Sequence, residues 1–278
     1  MIGRVIGVFV SITRITKGIK RRLKNNKANK LCRLQKNPLA TINKTVVTTF
    51  YDFEADYAGT GKQQPCFATV ARILDIEKKH GIHSTYNTVA KLAHDIPDIV
   101  KEIHHRGHEI ASHSYDHTVL LPLSRQQKKH NVESAKQMFN ALGYSNIGHR
   151  SPQSAWDFTL VKQLSENNYR WNAENGSEPY PYIIHQTETN KLWRMPVRDD
   201  DWYYVRDKMQ PKQVLQKWIS LVQQARETQS YTAIGFHPWL QASEDKLVVL
   251  EEFFAWLAGQ DDIAVMPFGE VVNAMESQ

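Results

Sequence analysis

From residue 45 onward the apolar positions switch repeatedly between two periods. "TVVTTFY" is rich in β-branched and aromatic residues over one strand's length. "CFATVARILDIEKKHG" follows, with Phe67, Val70, Ile73 and Leu74 on one face of a 3.6-residue wheel and Gly81 as a helix stop. "IHSTYNTV" then predicts a strand, "IPDIVKEIHHRG" a helix and "HEIAS" a short strand. A helix from about Ser124 to Leu142 closes at Gly143, "NIGH" is a short strand, "DFTLVKQLSEN" a helix and "YRWNA" a strand. "KLWRMPV" adds a strand, and a helix from Pro211 carries Val214, Leu215, Trp218, Ile219 and Val222 as its apolar stripe. "YTAIGF", "DKLVVLEEFFAWLAG", "IAVMPF" and "GEVVNAM" complete the alternation as strand, helix, strand, helix.

Repeated strand-helix units imply an α/β fold with a parallel sheet, and about seven of them predict closure into an irregular (β/α) barrel. In such folds the chemistry sits at the carboxyl ends of the strands. Polar residues collect at those ends: Asp52, Glu54 and Asp56 after the first strand, His113 and His117 after the third, Arg150 after the fourth and His237 after a late one.

Charge changes the picture at the amino end. The net charge of +6 hides twelve Lys and Arg and no acid in residues 1–44, which leaves 23 basic against 29 acidic residues in the remainder, net −6. The expected organisation is therefore a basic segment, 1–44, appended to one barrel domain, 45–278. A nucleic-acid enzyme carries basic charge on its body beside the site, so no nucleic-acid partner is expected. The apolar run Val5 to Ile12 is far shorter than the roughly 18 residues that span a bilayer, and no small-residue cleavage site follows it. Ile2, Val5, Phe9, Ile12, Ile19 and Leu23 nevertheless share one wheel face, opposite Arg14, Lys17, Arg21 and Lys24. That pattern fits a peripheral membrane contact through residues 1–44; a helix packed on the domain, or a solvated tail, fits it too. Cys32 and Cys66 form no disulfide or thiolate-metal pattern, which points to a reducing, cytoplasmic setting.

Of twelve histidines most must be ordinary, and His104 and His105 belong on a polar helix end. His113 and His117 differ because they share the strand-end rim with "FYDFEAD", where two imidazoles need one carboxylate to complete a three-ligand site with an open position. Asp52 and Glu54, two apart in a strand, point to the same side while Tyr51 and Phe53 point to the other. One could bind a metal while the other takes a proton from water; two solvated loop acids are the bland alternative.

"TTFYDFEAD", "HEIASHSYDH", "GHRSP", "YRWNAE" and "IGFHPW", in this order, resemble the successive motifs of the polysaccharide deacetylase superfamily, the NodB-homology or carbohydrate esterase family 4 group. The resemblance covers about residues 45–270 and implies an irregular (β/α) barrel. It implies that His113 and His117 are metal ligands, that the acidic motif supplies a base and a third ligand, that Arg150 orients the base and that His237 is the general acid. The first motif departs from the common T-F-D-D-G form: matching Phe50 to the family's Phe places Tyr51 at the base position. The D-x-D/E form of other branches fits better, with Asp52 as base and Glu54 as ligand, and Asp56 is a spare ligand. "DFEADYAGT" is similar to the opening of lipid-linked formamido-arabinose deformylases. Asn172 stands where many members have an Asp that tunes the acid, which puts the pKa of His237 in question.

The resemblance thus implies a metal-dependent hydrolase, with zinc as the expected ion, that removes an N-acetyl or N-formyl group from an amino sugar of a cell-envelope glycan or its lipid-linked precursor. Trp156, Trp171, Trp193, Trp202, Tyr203 and Trp239 fall near predicted strand ends, where they either stack on sugar or pack the core. A catalytically inactive, deacetylase-like carbohydrate-binding protein is the rival reading, favoured by Tyr51 and Asn172 and opposed by Asp52, Glu54 and His237.

Overall fold

In the computed structural model, residues 23–55 and 63–277 are described, side chains of 63–65 excepted. The amphipathic reading of residues 1–22 and the candidate ligand Asp56 lie outside them. Helical residues 23–33 (α1) lead to β1 (Thr45–Phe53), α2 (Gln63–His80), β2 (Thr85–Thr88), α3 (Ala90–Asp95), α4 (Pro97–His105) and β3 (Glu109–Ser112). Then come α5 (Arg125–Ala141), β4 (His149–Arg150), α6 (Phe158–Glu166), β5 (Trp171–Asn175), β6 (Tyr182–Gln186), β7 (Lys191–Val197) and β8 (Asp199–Asp200). The one-turn helix α7 (Tyr203–Arg206) and the long helix α8 (Pro211–Glu227) precede β9 (Thr232–Phe236), α9 (Glu244–Ala258), β10 (Ile263–Val265) and α10 (Phe268–Glu276).

The predicted alternation is the observed one. Strand pairing runs β7-β5-β4-β3-β2-β1-β9-β8, parallel at each step, and β8 continues β7 after the single residue Arg198. The Arg198 N–H donates to Ala233 of β9, so the pairings return toward their start around seven strand positions. Local sequence explains the helix ends. Ser124 and Gln127 form a reciprocal cap at the start of α5, Asp157 caps α6 through Leu160 N–H, and Gly143, at φ +91°, supplies the left-handed residue after α5.

Period-two alternation on β1 separates two cores. Val47, Tyr51 and Phe53 join the outer core beneath the helices, whereas Val46 and Phe50 join an inner one with Ala111, Trp171, Ala173, Met195 and Ala233. Gly235 of β9 makes room for the Phe50 ring, because a Cβ there would lie 2.4 Å from it. At the amino ends of the strands α10 closes the interior with Phe268, Val271, Val272 and Met275. The partly buried Glu109 lies there, accepting from Thr85 Oγ1 at 2.6 Å, Gly269 N at 2.9 Å and Trp171 Nε1 at 3.0 Å.

Three features differ from the sequence expectations. β6 is an added antiparallel hairpin partner of β7; its proline-flanked "YIIHQ" has too few apolar positions to declare a strand. Trp171 and Trp193 face the floor, where Trp193 Nε1 donates to Glu276, so they are not at the strand ends that carry the site. The described part of the basic segment is packed on the body rather than merely appended to it. Ala28 and Cys32 of α1 are buried in the outer core, and Lys24 Nζ donates to the Trp156 carbonyl at 3.1 Å. The Gln35 amide accepts from Ile183 N–H at 2.8 Å and donates to Ile183 O at 2.9 Å, satisfying the open edge of β6 as a strand would.

Candidate active site

β1 delivers Asp52 and Glu54 to the interior at its carboxyl end, both 4% exposed, as their spacing predicted. The loop after β3 brings the histidines together by two left-handed turns, at Ser114 (φ +70°) and His117 (φ +62°). It is pinned by Ala90 N–H to Ser114 O, by Lys91 N–H to Tyr115 O and by Asn131, which accepts from Tyr115 N–H and donates to Asp116. The imidazole centroids of His113 and His117 are 5.1 Å apart.

Glu54 Oε2 lies 3.4 Å from His113 Nε2 and 2.7 Å from His117 Nε2. One ligand atom from each of the three lies within 4.8 Å of the others. His113 Nδ1 donates to the Arg150 carbonyl at 3.0 Å, so its Nε2 presents a lone pair whenever the ring is neutral. Trp239 Nε1 donates to the other Glu54 oxygen at 2.9 Å, fixing that carboxylate. Three acceptor atoms converging at such distances require a cation or a shared proton among them. Burial pushes the Glu54 pKa up, but the hydrogen bonds of His113 and His117 outweigh it and hold the group well below its usual range. The donor set of two histidines and one carboxylate, with Glu54 and His113 buried and His117 partly exposed, fits a divalent ion.

Asp52 stands beside this triad, its Oδ2 4.0 Å from His113 Nε2 and 3.8 Å from His237 Nε2. Arg150 Nε donates to both Asp52 oxygens, at 3.0 and 2.8 Å, and Asn87 Nδ2 donates to Oδ1 at 3.0 Å. Burial would raise the Asp52 pKa, but Arg150, then His113 and His237, bring it below the ordinary value. The Arg150 guanidinium also rests over the Phe50 ring at 4.8 Å, which carries the inner core up to the site.

His237 follows β9, and its partner is Asp201, a residue sequence reasoning missed. His237 Nδ1 and Asp201 Oδ1 are 2.6 Å apart, the His237 backbone N–H donates to Oδ2 at 2.9 Å and Gln241 donates to the same oxygen at 2.6 Å. Burial pushes the imidazole pKa down, yet the charge and hydrogen bond of Asp201, with Glu54 and Asp52 behind, raise it to about 10. Asn172 does not touch His237. It donates to His149 O and Glu174 and accepts from Arg194. The available signal was "RDDDW", three acids where a predicted strand ends, with nothing in the sequence to say which of them turns inward. Tyr51 likewise points away from the site, its ring stacked on Tyr86 at 4.6 Å in the outer core.

Of the remaining aromatics, Trp202 is 41% exposed and stacks on His237 with centroids 5.8 Å apart, edge-on to Trp239. Trp156 is buried between Lys24 and Arg194, and the Tyr203 hydroxyl is tied to Asp199. His104 and His105 are exposed on α4, away from any donor cluster.

At the parallel strand ends a two-histidine, one-carboxylate donor set thus converges beside an arginine-held aspartate and an aspartate-held histidine. Residues 40–171 match the polysaccharide deacetylase family. The chain is 27% identical over 122 residues, 44% of its length, to a peptidoglycan-N-acetylglucosamine deacetylase of Bacillus cereus, of which the match covers 42%. It is 24% identical over 144 residues, 51% of its length, to the peptidoglycan-N-acetylglucosamine deacetylase PgdA of Listeria monocytogenes, of which the match covers 28%. The chain thus spans less than half the length of these curated relatives. The fold superposes on the crystal structure of a probable polysaccharide deacetylase from Pseudomonas aeruginosa PAO1, with TM-score 0.77 and 14% identity, covering 88% of this chain and 95% of that one. Residues 40–171 thus resemble the polysaccharide deacetylase family, in keeping with the motifs, and the fold as a whole is similar to that of the solved structure.

Proposed function

We propose that this protein is a metal-dependent hydrolase that removes an N-acyl group, acetyl or formyl, from an amino sugar of a cell-envelope glycan or its lipid-linked precursor. The observation that carries the reading is the convergence of Glu54, His113 and His117 beside Asp52 and His237. The names of the matched relatives supply the sugar class.

A divalent ion held by Glu54, His113 and His117, zinc by the character of the donors, supplies Lewis acidity toward the amide carbonyl and the attacking water. Asp52 is the general base: it accepts the water proton as the new C–O bond forms, and Arg150 keeps it ionised and aligned. His237, protonated at neutral pH, is the general acid: it gives its Nε2 proton to the nitrogen as the C–N bond breaks, releasing the amine and a carboxylate. Asp201 holds Nδ1 and so fixes which nitrogen donates. Against the inactive-binder reading, Tyr51 faces the outer core and His237 is held by Asp201 and not by the residue at position 172.

Residues 1–44 carry the charge for a peripheral contact with an anionic inner membrane face, where a lipid-linked sugar is met, and residues 45–278 form the catalytic barrel unit. No helix among the described residues is long and apolar enough to cross a membrane.

The test is metal content by mass spectrometry on zinc-reconstituted, desalted protein, paired with amine release from N-acetylglucosamine oligomers, for the native chain and a His113→Ala, His117→Ala variant. About one equivalent of metal, lost in the variant together with turnover, is expected. A native chain that retains no metal, or a variant that retains it, overturns the proposal.

A further inference from the structure

Four carboxylates surround the reacting centre, and three are committed. Asp52 is held by Arg150 and Asn87, Glu54 by the two histidines and Trp239, and Asp201 by His237 and Gln241. The fourth, Asp200, ends β8 opposite Gly235, two residues before His237. Its side chain turns toward Arg150, with Oδ2 3.8 Å from Nη2, and stays partly exposed at 13%. Oδ1 accepts from the Trp202 N–H at 3.1 Å, while Oδ2 accepts no hydrogen bond among the described residues. Trp202, the exposed aromatic stacked on His237, is its near neighbour in the chain.

A sugar lying against Trp202 meets Asp200 Oδ2, which accepts no hydrogen bond among the described residues and whose cationic neighbour, Arg150, is itself bound to Asp52.

Resting on the deacylation reading, we propose that Asp200 is a specificity-determining residue that selects uncharged amino sugars, its free oxygen accepting from a sugar hydroxyl and repelling carboxylate-bearing sugars. Two unlike charges or two like charges a few ångströms apart at a protein surface differ enough to change a rate constant roughly tenfold or more.

The measurement compares N-acetylmuramic acid with its methyl ester, larger by one methyl group and without the negative charge, on zinc-reconstituted protein. The native chain is expected to favour the ester in kcat/KM by roughly tenfold or more, and Asp200→Asn is expected to bring that ratio close to one. Asp200→Ser, which cannot carry the charge, should do the same if the amide variant folds poorly. Kd values for the two sugars by calorimetry read the same ratio without turnover. An ester-to-acid ratio unchanged in both variants, or a native preference for the acid, overturns the proposal. Absent amine release from either sugar, with a Kd ratio that still follows Asp200, sinks the deacylation reading and leaves the charge selection standing.

Discussion

Glu109, partly buried at the floor of the barrel, and Glu54, buried at its mouth, are carboxylates on the inside of the same sheet in opposite company. Glu109 accepts from a threonine hydroxyl, a backbone N–H and an indole N–H, all neutral. Burial raises its pKa, and those hydrogen bonds only partly offset the rise. Glu54 is pulled the other way by imidazoles whose Nε2 atoms converge on it. The contrast shows how one scaffold separates two tasks. Neutral donors satisfy a carboxylate and make it part of the packing, whereas convergent acceptors leave a demand for positive charge that folding alone does not meet.

The largest effect that could break this contrast is on rate. Asp52→Asn should lower amine release by roughly 10²–10⁴ fold, the range of a lost general base, while Glu109→Gln should leave the rate of the folded enzyme near the native value; assays on equal amounts of folded protein compare them. Next is stability. Phe268→Ala removes a fully buried ring from the floor and should cost about 3–5 kcal/mol in denaturant unfolding, with metal stoichiometry in the folded fraction unchanged. A floor substitution that abolished metal binding in the folded fraction would show that the ends are not separate.

The smallest effect is the shape of a pH profile. A histidine whose folded pKa lies near 10, above its unfolded value of about 6.5, stabilises the fold fully below the unfolded value and loses that contribution as pH rises through 10. In metal-stripped protein the stability advantage of the native chain over Asp201→Asn should therefore shrink between pH 6 and pH 10. Asn172→Asp should leave the alkaline limb of the rate profile where it is, since Asn172 does not reach His237.

The convergence of Asp52 and Glu54 with His113 and His117 was legible because strand alternation fixes which side Asp52 and Glu54 share, and because a motif spaces His113 from His117. Their approach still depends on the left-handed backbone at Ser114 and His117, which no periodicity announces. Asp201 was hidden because three consecutive acids leave the inward one undetermined until β8 pairs with β9. The packing of α1 was hidden by its own charge: its basic residues read as solvated, while Ala28, Cys32 and Gln35 make the contacts.

The lid that α10 places on the floor also sets an order of assembly. β1 pairs with β10 as Thr45 meets Ile263, and Phe268 packs on Phe50 at 5.4 Å. A nascent chain emerging from the ribosome has exposed every donor of the site by His237, yet it still holds Phe50 and Trp171 open to water. Closing such distant pairs is entropically slow, so the barrel lacks its bottom until residues 263–275 have been made and packed. Exposure to misassembly is concentrated in that interval.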